Sequence, residues 1–287
     1  MDPVRLPFDP ETLISALGEA VNVVVDTTGR VSRRDGYASL FPGASHSLFC
    51  DGGDCLFVEG DSLYRLLPDY SRQLIRDGLI VGNLLDYTQV NNDIYYTSKA
   101  DIGIVHQGGI HEDWTARPYV GVDTNRRYAG PQPASHIAFF AGRIFLSIGN
   151  SIIYSEPFGW SYFDLSRCFF SLDSTVRMMK PVADGMYLSS DTQTYFLKGT
   201  EPKEWLLIEV AGYPALEWSA AIDLVDGLEV GIQEQGLCSL WSSPMGACLG
   251  TPAGNVYNLT RDKVIYPEGT AGAGLLRGYH FIQNIGE

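Results

Sequence analysis

The chain has 287 residues, a formal net charge of −14 at pH 7 and 45% hydrophobic residues. This hydrophobic content excludes disorder as the default state, because a chain of this length and composition can bury a large core. Twenty basic residues stand against 34 acids, which argues against a protein that grips nucleic acid through its phosphates. The balance remains compatible with a surface along which DNA slides without binding.

The first twenty residues form a short segment that leads into the fold. Residues Glu11 to Leu17 carry apolar side chains at helical spacing, and Gly18 would end that helix. Met1 to Arg5 lacks the pattern of a signal peptide, and no run reaches the roughly 18 apolar residues of a membrane span. We therefore expect a soluble chain that is not exported and has no membrane partner.

A hairpin with a basic second strand follows. Val21 to Val25 is rich in β-branched residues, and a turn leads to a strand that contains Arg30, Arg33 and Arg34. These arginines are the densest basic patch of an acidic chain, so we predict that they meet an acidic partner surface or a nucleic-acid backbone. A solvated strand face explains them equally well.

Five short apolar runs are each followed, after a tight turn, by a second strand. The copies start near residues 55, 94, 144, 186 and 247, an average spacing of about 48 residues, close to the roughly 40–50 residues of a propeller blade. A repeated hairpin cannot bury its apolar face alone, so the copies must pack on one another. The sequence therefore predicts an all-β propeller.

Each repeat is predicted to be a three-stranded meander. The strands of two copies are Ser45 to Cys50, Cys55 to Glu59 and Ser62 to Leu67, and His136 to Phe140, Ile144 to Ile148 and Ser151 to Ser155. Gly60-Asp61 and Gly149-Asn150 suit two-residue hairpins with glycine first, whereas Asp184-Gly185 and Asp226-Gly227 suit the mirror-image type. Two extra strands, Leu206 to Val210 and Leu216 to Leu224, lie in the widest gap.

A closed ring of blades needs its ends joined, because an open ring exposes a sheet edge. The hairpin from Val21 to Tyr37 and the run from Leu275 to Ile282 are predicted to share the closing blade. Five repeats and this composite blade give six blades, and five or seven are the alternatives because residues 206–235 are ambiguous. The whole chain, 1–287, is thus predicted to be a single propeller domain.

Five cysteines at irregular positions indicate reduced thiols in a cytoplasmic product. Cys50 and Cys55 flank the turn Asp51 to Asp54 and face each other if that turn closes a hairpin. A disulfide between them is the less favoured alternative, because the predicted compartment is reducing.

The most ligand-like cluster is His106 and His111 with Glu112 or Asp113, in which two histidines five residues apart share a glycine turn. Because no third histidine or cysteine has helpful spacing, we favour a solvated loop over a metal site. The turn Asp51 to Asp54 has too few oxygen ligands for a calcium loop. We predict no metal.

The glycine-rich run Gly269 to Gly274 lacks the lysine of a phosphate-binding loop, so we predict no cofactor. Paired carboxylates need separate attention, since propeller-shaped enzymes can cleave glycosides with acids in a central funnel. The candidate acids are Asp86, Glu156, Asp191 and Glu217. With 34 acids in the chain this signal is weak, so we predict no enzyme and keep a glycan-binding or glycoside-cleaving propeller as the alternative.

Aromatic residues cluster between Phe158 and Phe163. Phe158 and Trp160 are candidates for a partner interface, because large aromatic side chains are enriched at interfaces. Packing between blades is the more common use of such residues.

Several segments resemble the β-propeller virion proteins of tailed bacteriophages, of the tail-nozzle or packaged-DNA-stabilising type. The resemblance is carried, in order, by Gly29 to Tyr37, Ile153 to Phe158 with Tyr162 to Asp164, Asp184 to Leu188 with Thr194 to Gly199, Leu240 to Ser243, and Val256 to Thr260. Each segment has low specificity alone, and their order along the chain is what favours the family.

This resemblance implies a structural part of the virion tail or neck with no active site, assembled in the host cytoplasm. It implies a homo-oligomeric ring beneath the portal or adaptor, in contact with other tail proteins. Such a ring would form part of the DNA exit channel and would help retain and release the genome. Contacts in a cyclic ring are heterologous and must close, and an acidic lining lets DNA pass without being gripped.

Overall fold

The computed structural model describes residues 38–51, 53–116, 126–226, 234–260, 271–277 and 280–285, together with short strands before residue 34. The chain divides into two compact units, Met1–Pro42 and Gly43–Glu287. Within the described ranges, no helix is long and apolar enough to span a bilayer. The extent of the predicted single domain, 1–287, stays a prediction.

Short antiparallel strands are present in the described part of the first unit. They are β1 (Val4–Arg5), β2 (Phe8–Asp9), β3 (Ile14–Ser15), β4 (Val23–Val25) and β5 (Arg30–Arg33). β5 pairs with β4 and β1, which confirms the predicted hairpin, and β2 pairs with β3. The predicted helix from Glu11 to Leu17 is wrong at Ile14 and Ser15, because these residues pair with β2. Seven residues are too few to offset the cost of helix nucleation.

Five four-stranded antiparallel sheets make up the described part of the second unit, and each is one blade. Blade 1 contains β6 (Ser45–Asp51), β7 (Asp54–Glu59), β8 (Ser62–Leu66) and β9 (Arg72–Arg76). Blade 2 contains β10 (Asp86–Val90), β11 (Asp93–Thr97), β12 (Ile102–His106) and β13 (Ile110–Glu112). Blade 3 contains β15 (His136–Phe140), β16 (Arg143–Ile148), β17 (Ser151–Tyr154) and β19 (Phe169–Ser171).

Blades 4 and 5 repeat this arrangement. Blade 4 contains β20 (Met178–Val182), β21 (Gly185–Ser189), β22 (Thr194–Lys198) and β23 (Leu206–Ala211). Blade 5 contains β24 (Ala221–Asp226), β25 (Gln235–Ser243), β26 (Gly246–Gly250) and β27 (Val256–Asn258). A small two-stranded sheet pairs β14 (Tyr128–Ala129) with β18 (Phe163–Asp164). The second strands of blades 1 to 4 match the first four predicted repeat starts, and the fifth start matches β26, the third strand of blade 5. Each predicted repeat therefore lies in a blade of its own, which confirms the β-propeller.

The first strand of each blade lies innermost. β10 lies against both β6 and β15, β15 lies against β20, and β20 lies against β24. These first strands therefore line a common axis. The fourth strands, β9, β13, β19, β23 and β27, are the outermost, and we call them the outer strands. The meander prediction of three strands per repeat omitted this fourth strand.

Hydrophobic clusters join each blade to the next instead of lying within single blades. Leu56 of blade 1 shares a cluster with Tyr96 of blade 2, and Phe145 of blade 3 shares one with Leu188 of blade 4. Further clusters join blade 2 to blade 3 and blade 4 to blade 5. One blade therefore cannot bury its apolar faces without its neighbours, as repeat architectures require.

The last described strands are β28 (Gly272–Arg277) and β29 (His280–Ile285), which pair with each other. β28 lies against β24 of blade 5, and Leu276 and Phe281 pack on the blade 5 cluster. Among the described strands, the β4–β5 hairpin and the β28–β29 hairpin belong to separate sheets. Five blades are present in the described residues, and the prediction of six blades is not confirmed.

The hairpin turns follow the predicted glycines in two cases. β7 and β8 are joined through Gly60-Asp61, and β16 and β17 through Gly149-Asn150. The prediction for Asp184-Gly185 is one residue out of register, because Val182 pairs with Gly185 and the turn is residues 183–184. A Cβ on Gly185 would lie 2.5 Å from the Phe196 ring. Packing against this ring therefore requires glycine at position 185. The two-residue turn predicted at Asp226-Gly227 is wrong, because Asp226 is the last residue of β24 and pairs with Gln235.

Cys50 and Cys55 are directly opposed in the β6–β7 hairpin and form a disulfide. Their Cα atoms are 4.1 Å apart, a separation near that of the closely spaced pairs in an antiparallel ladder. The expectation of reduced thiols is therefore wrong for this pair. Cys168, Cys238 and Cys248 are free and buried, and burial raises the pKa of each thiol.

Candidate functional site

Charged and aromatic side chains from four blades meet at one end of the innermost strands. Asp86 is the first residue of β10, His136 is the first residue of β15, and Lys180 lies within β20. Glu217 and Trp218 come from the segment that precedes β24. We call these five residues the axial cluster.

Asp86 is the fixed centre of the axial cluster. The backbone N–H groups of Tyr87 and Ile137 each donate to its carboxylate at 3.1 Å. Its two oxygens also lie 3.5 Å from Lys180 Nζ and from His136 Nδ1. Burial alone raises the pKa of this carboxyl, but the Lys180 charge, His136 and the backbone donors together lower it. Asp86 is therefore a carboxylate at neutral pH.

The two ring nitrogens of His136 have different surroundings. The residue is 3% exposed, and its Nδ1 faces Asp86. Its Nε2 is buried without a hydrogen-bond partner. Nε2 lies 3.7 Å from Glu217 Oε1, beyond hydrogen-bond distance. Buried polar atoms in folded proteins nearly always have partners, so this nitrogen requires an explanation.

Trp218 forms the apolar wall of the cluster. Its ring centroid lies 4.7 Å from that of the His136 imidazole. Its backbone φ is 68°, a left-handed conformation that is rare for bulky residues and concentrates at functional sites. Glu217 is open to solvent, with 29% of its side chain exposed. The cluster thus places an aromatic ring and a carboxylate beside the imidazole of His136.

Blade 1 adds a polar pair at the same end of the innermost strands. Ser47, with φ 54°, accepts a hydrogen bond at 2.9 Å from the N–H of Leu85, the residue before Asp86. His46 Nδ1 lies 2.9 Å from the same hydroxyl oxygen. Burial lowers the pKa of His46, so it is neutral at pH 7. The polar lining therefore continues from blade 1 to blade 2.

Sequence reasoning found only part of this cluster. Asp86 and Glu217 were two of the four candidate acids, and the structure brings them to opposite sides of His136. Lys180 and Trp218 were missed. The available signal was the position of His136 and Asp86, because each begins an innermost strand where an apolar residue is otherwise expected.

The other two candidate acids lie elsewhere. Glu156 is paired with Arg126. Asp191 accepts a hydrogen bond from Arg177 Nε at 2.5 Å. Each carboxylate has its own cation, and neither is part of the axial cluster.

The two histidines predicted to lie in a solvated loop belong instead to the β12–β13 hairpin. His106 Nδ1 lies 2.8 Å from Asp93, and its Nε2 lies 2.9 Å from Glu112. These two carboxylates raise the pKa of His106. His111 Nε2 lies 2.9 Å from the Tyr96 hydroxyl. Among the described residues, no group of three or more potential ligands is arranged to hold a metal ion.

The acidic turn Asp51 to Asp54 and the glycine-rich run Gly269 to Gly274 both contain residues of strands. Asp54 of β7 is paired with Arg65 of the neighbouring strand β8, and their side chains lie 2.5 Å apart. Of the run Gly269 to Gly274, the residues from Gly272 onward begin β28. The first two residues of that run lie outside the described residues.

The predicted interface residues have different surroundings. Phe158 is strongly exposed, and its ring lies beside Gly142. Trp160 is half-buried, and its Nε1 donates to the Gly142 carbonyl at 3.1 Å while its ring meets Tyr95 edge-on. Trp160 therefore serves packing between blades 2 and 3. An interface role for either residue stays a prediction.

The predicted basic interface lies in the first unit. Arg30 and Arg33 are exposed residues of β5. Arg34 lies outside the described residues. The role of these arginines in binding a partner stays a prediction.

Large apolar side chains are exposed on all five outer strands. They range from 37% exposed for Ile208 to 65% for Ile110, and the others are Leu74, Phe169, Leu206, Leu207 and Tyr257. Leu206, Leu207 and Ile208 are consecutive on β23. Exposed single hydrophobic residues are common, but a run of three at a sheet edge is a candidate contact surface.

Comparisons with known proteins identify no family. No protein-family model matches the chain, and no curated protein matches it. Solved structures that it resembles are β-propellers. A gluconolactonase from Xanthomonas campestris has 11% identity and a TM-score of 0.48, with 81% of this chain and 79% of that chain covered. Virginiamycin B lyase from Staphylococcus aureus has 10% identity and a TM-score of 0.45, with 77% and 71% covered.

The Pan2 WD40 domain of Neurospora crassa has 7% identity and a TM-score of 0.46, with 72% of this chain and 61% of that chain covered. The chain spans only 28% of two other matched structures, which are extracellular domains of proteins assigned to signalling systems of B. thetaiotaomicron. At these identities and TM-scores, the likenesses assign no activity to the chain.

Proposed function

We propose that the chain is a structural component of a tailed-phage virion, a propeller of the neck or tail. It forms a homo-oligomeric ring that is part of the DNA exit channel and helps retain and release the packaged genome. The observation that carries the proposal is the exposure of large apolar side chains on the outer strand of every described blade. Such side chains mark surfaces that associate with other chains.

The strongest of these surfaces is the outer strand of blade 4. Leu206, Leu207 and Ile208 are consecutive and exposed on β23. Soluble monomers usually protect an edge strand with charges or proline, because its free backbone groups recruit other strands. An apolar edge therefore supports contact with a second chain. In a ring this contact is heterologous, so the partner surface lies on another face of the neighbouring copy.

The charge of the chain supports the path proposed for DNA. A net charge of −14 opposes tight phosphate binding, so DNA can move past the ring. The resemblance to phage propellers, which extends over most of the chain, supports the portal or adaptor and other tail proteins as neighbours. In this role the protein acts in the virion, is assembled in the host cytoplasm and needs no catalytic residue.

The proposal includes a sixth blade built on the β28–β29 hairpin. This hairpin already packs on blade 5, yet Leu224 of β24 is 75% exposed and Leu275 of β28 is half exposed. Further strands would cover this apolar surface, and the N-terminal hairpin is the segment proposed to supply them. A chain that begins at Gly43 should then melt at a lower temperature than the full chain. An unchanged melting temperature would contradict the composite blade.

The virion role is tested by mass spectrometry of purified phage particles that encode the chain. The expected result is a small, fixed number of copies per particle, retained after washing and nuclease treatment. Empty heads without tails serve as the control and should lack the protein. Its absence from complete particles would overturn the proposal.

A further inference from the structure

We propose that the axial cluster is a binding site for a neutral sugar. The sugar ring would pack on Trp218, and its hydroxyl groups would donate to His136 Nε2 and to the Glu217 carboxylate. The inference does not depend on the virion role. It rests on three features: an unpartnered buried nitrogen, a partly exposed carboxylate beside it, and an aromatic ring packed against the same imidazole.

The first step concerns which proton His136 carries. Its Nδ1 faces Asp86 at 3.5 Å, and a carboxylate that faces one ring nitrogen orients the ring with a proton on that nitrogen. We therefore place the proton on Nδ1, which makes Nε2 the acceptor, and no donor in the described residues reaches it. Leaving a buried acceptor unsatisfied costs about 1–3 kcal/mol. A ligand that donates to Nε2 would recover this loss.

The second step concerns what kind of donor fits. Glu217 Oε1 lies 3.7 Å from Nε2, and both atoms are acceptors, so they do not bind each other. A ligand with two adjacent O–H donors satisfies both atoms at once. An anion is excluded, because it would bring further acceptors to two acceptor atoms.

A cationic amine fits less well than a sugar. The Lys180 ammonium group is already paired with the same buried Asp86, and its positive charge opposes a second cation nearby. A metal ion lacks ligands, since the described residues hold no group of three suitable side chains. A neutral sugar supplies paired hydroxyl donors without charge, and the C–H face of its ring packs on an aromatic side chain.

The third step concerns the rigidity of the site. Trp218 has the left-handed φ of 68°, which persists only where the surroundings fix the backbone. The hydroxyl of Ser219 donates to the Leu216 carbonyl at 2.7 Å and accepts from the Ser242 N–H at 3.0 Å. The Gly272 N–H also donates to the Glu217 carbonyl at 2.9 Å. The backbone that carries Glu217 and Trp218 is therefore fixed before any ligand arrives, which lowers the entropic cost of binding.

The test uses the full-length protein on an array of neutral oligosaccharides that contain glucose, galactose, mannose or N-acetylhexosamine, followed by calorimetry with each bound glycan. The wild-type protein should bind at least one of them. His136→Asn keeps a donor toward Asp86 and removes Nε2, while Glu217→Gln and Trp218→Ala remove the other two contacts. Each variant should bind at least tenfold more weakly.

Two control variants should bind glycans like the wild type. Glu209→Gln makes the same change as Glu217→Gln on the outer strand of blade 4, and Phe158→Ala removes an exposed aromatic ring elsewhere. The melting temperature of each variant shows whether the fold is lost, and its native mass shows whether the ring of copies is lost. A variant that keeps both but binds no glycan has lost only the site. Failure to bind any neutral glycan would overturn the inference, as would binding that survives all three axial substitutions. Preference for acidic sugars or amines would overturn the ligand class.

Discussion

Two of the phenylalanines of blade 3, one on β16 and one on β19, have opposite surroundings. Phe145, on β16, is fully buried between blades 3 and 4, whereas Phe169, on the outer strand β19, is 50% exposed. The propeller as a whole repeats this contrast, with charged residues buried near the axis and apolar residues exposed on the outer strands. A soluble monomer usually places these residue classes the other way round. Both the sugar site proposed at the axis and the ring proposed to form through the outer strands rest on this difference.

The largest expected effect comes from the buried member of the pair. Phe145→Ala should lower the free energy of unfolding by about 3–5 kcal/mol, because it leaves a cavity in a core shared by two blades. Phe169→Ala should change it by less than about 0.5 kcal/mol. Urea unfolding at one fixed, low protein concentration checks both values, since association would add apparent stability. Equal costs at the two positions would contradict the assigned burial.

The disulfide comes next in expected size. Changing Cys50 and Cys55 to serine should lower the free energy of unfolding by about 2 kcal/mol, near the low end for disulfides because the closed loop is short. Adding a reductant to the wild-type protein should have the same effect, and adding it to the double variant should have none. A wild-type melting temperature that is insensitive to reductant would show that this bond does not form in solution.

The buried ion pair of the axis is expected to contribute less. Lys180→Met should cost about 1–2 kcal/mol at neutral pH, because Asp86 keeps its two backbone donors but loses its cation. The exposed Lys198→Met is the control and should cost almost nothing. The pKa of Asp86 is lowered below its ordinary 3.8. Its contribution to stability is therefore present above that pH and is lost as the pH falls through the lowered pKa.

The difference between wild type and Lys180→Met should accordingly shrink in acid. Unfolding of both proteins by urea at pH 7 and at pH 3 measures this change. A difference that grows on acidification would contradict the assigned charge of Asp86.

The smallest expected effect concerns the partly exposed His106. Its pKa is raised above the ordinary 6.5 by Asp93 and Glu112, so its contribution to stability is complete below that pH. The contribution is lost as the pH rises through the raised pKa. Because the group is partly exposed, His106→Gln should cost only a few tenths of a kcal/mol at pH 6. Melting curves at pH 6 and pH 9 should show the difference disappear at the higher pH.

The sequence predicted the elements whose signals are local. The predicted apolar runs are the second strands of blades 1 to 4 and the third strand of blade 5. Gly60 and Gly149 mark the turns in blades 1 and 3, because a left-handed φ favours glycine. The outer strands were mostly missed because they are short, as in the three-residue β13, and lack the alternation of half-buried strands. The disulfide was judged unfavourable from composition, although the hairpin geometry permits it.

The axial cluster could not be predicted in full because it is assembled from distant parts of the chain. Asp86 and His136 are 50 residues apart in sequence and meet only when blades 2 and 3 pack side by side. Nothing local marks Lys180 as the partner of Asp86, and the backbone conformation of Trp218 depends on hydrogen bonds to neighbouring elements. Blade closure was similarly hard to predict, since it depends on how the two ends of the chain pair.

The central claim is that the outer strands assemble copies of this chain, and native mass spectrometry combined with negative-stain imaging tests it most directly. The wild-type protein should form closed rings of one size. The double variant Leu206→Lys with Ile208→Lys should be monomeric and equally folded, because two charges would be buried in the contact. Val81→Lys, at an exposed position between blades, should still form rings. A wild-type protein that stays monomeric at every concentration, or rings that survive the double variant, would contradict the account.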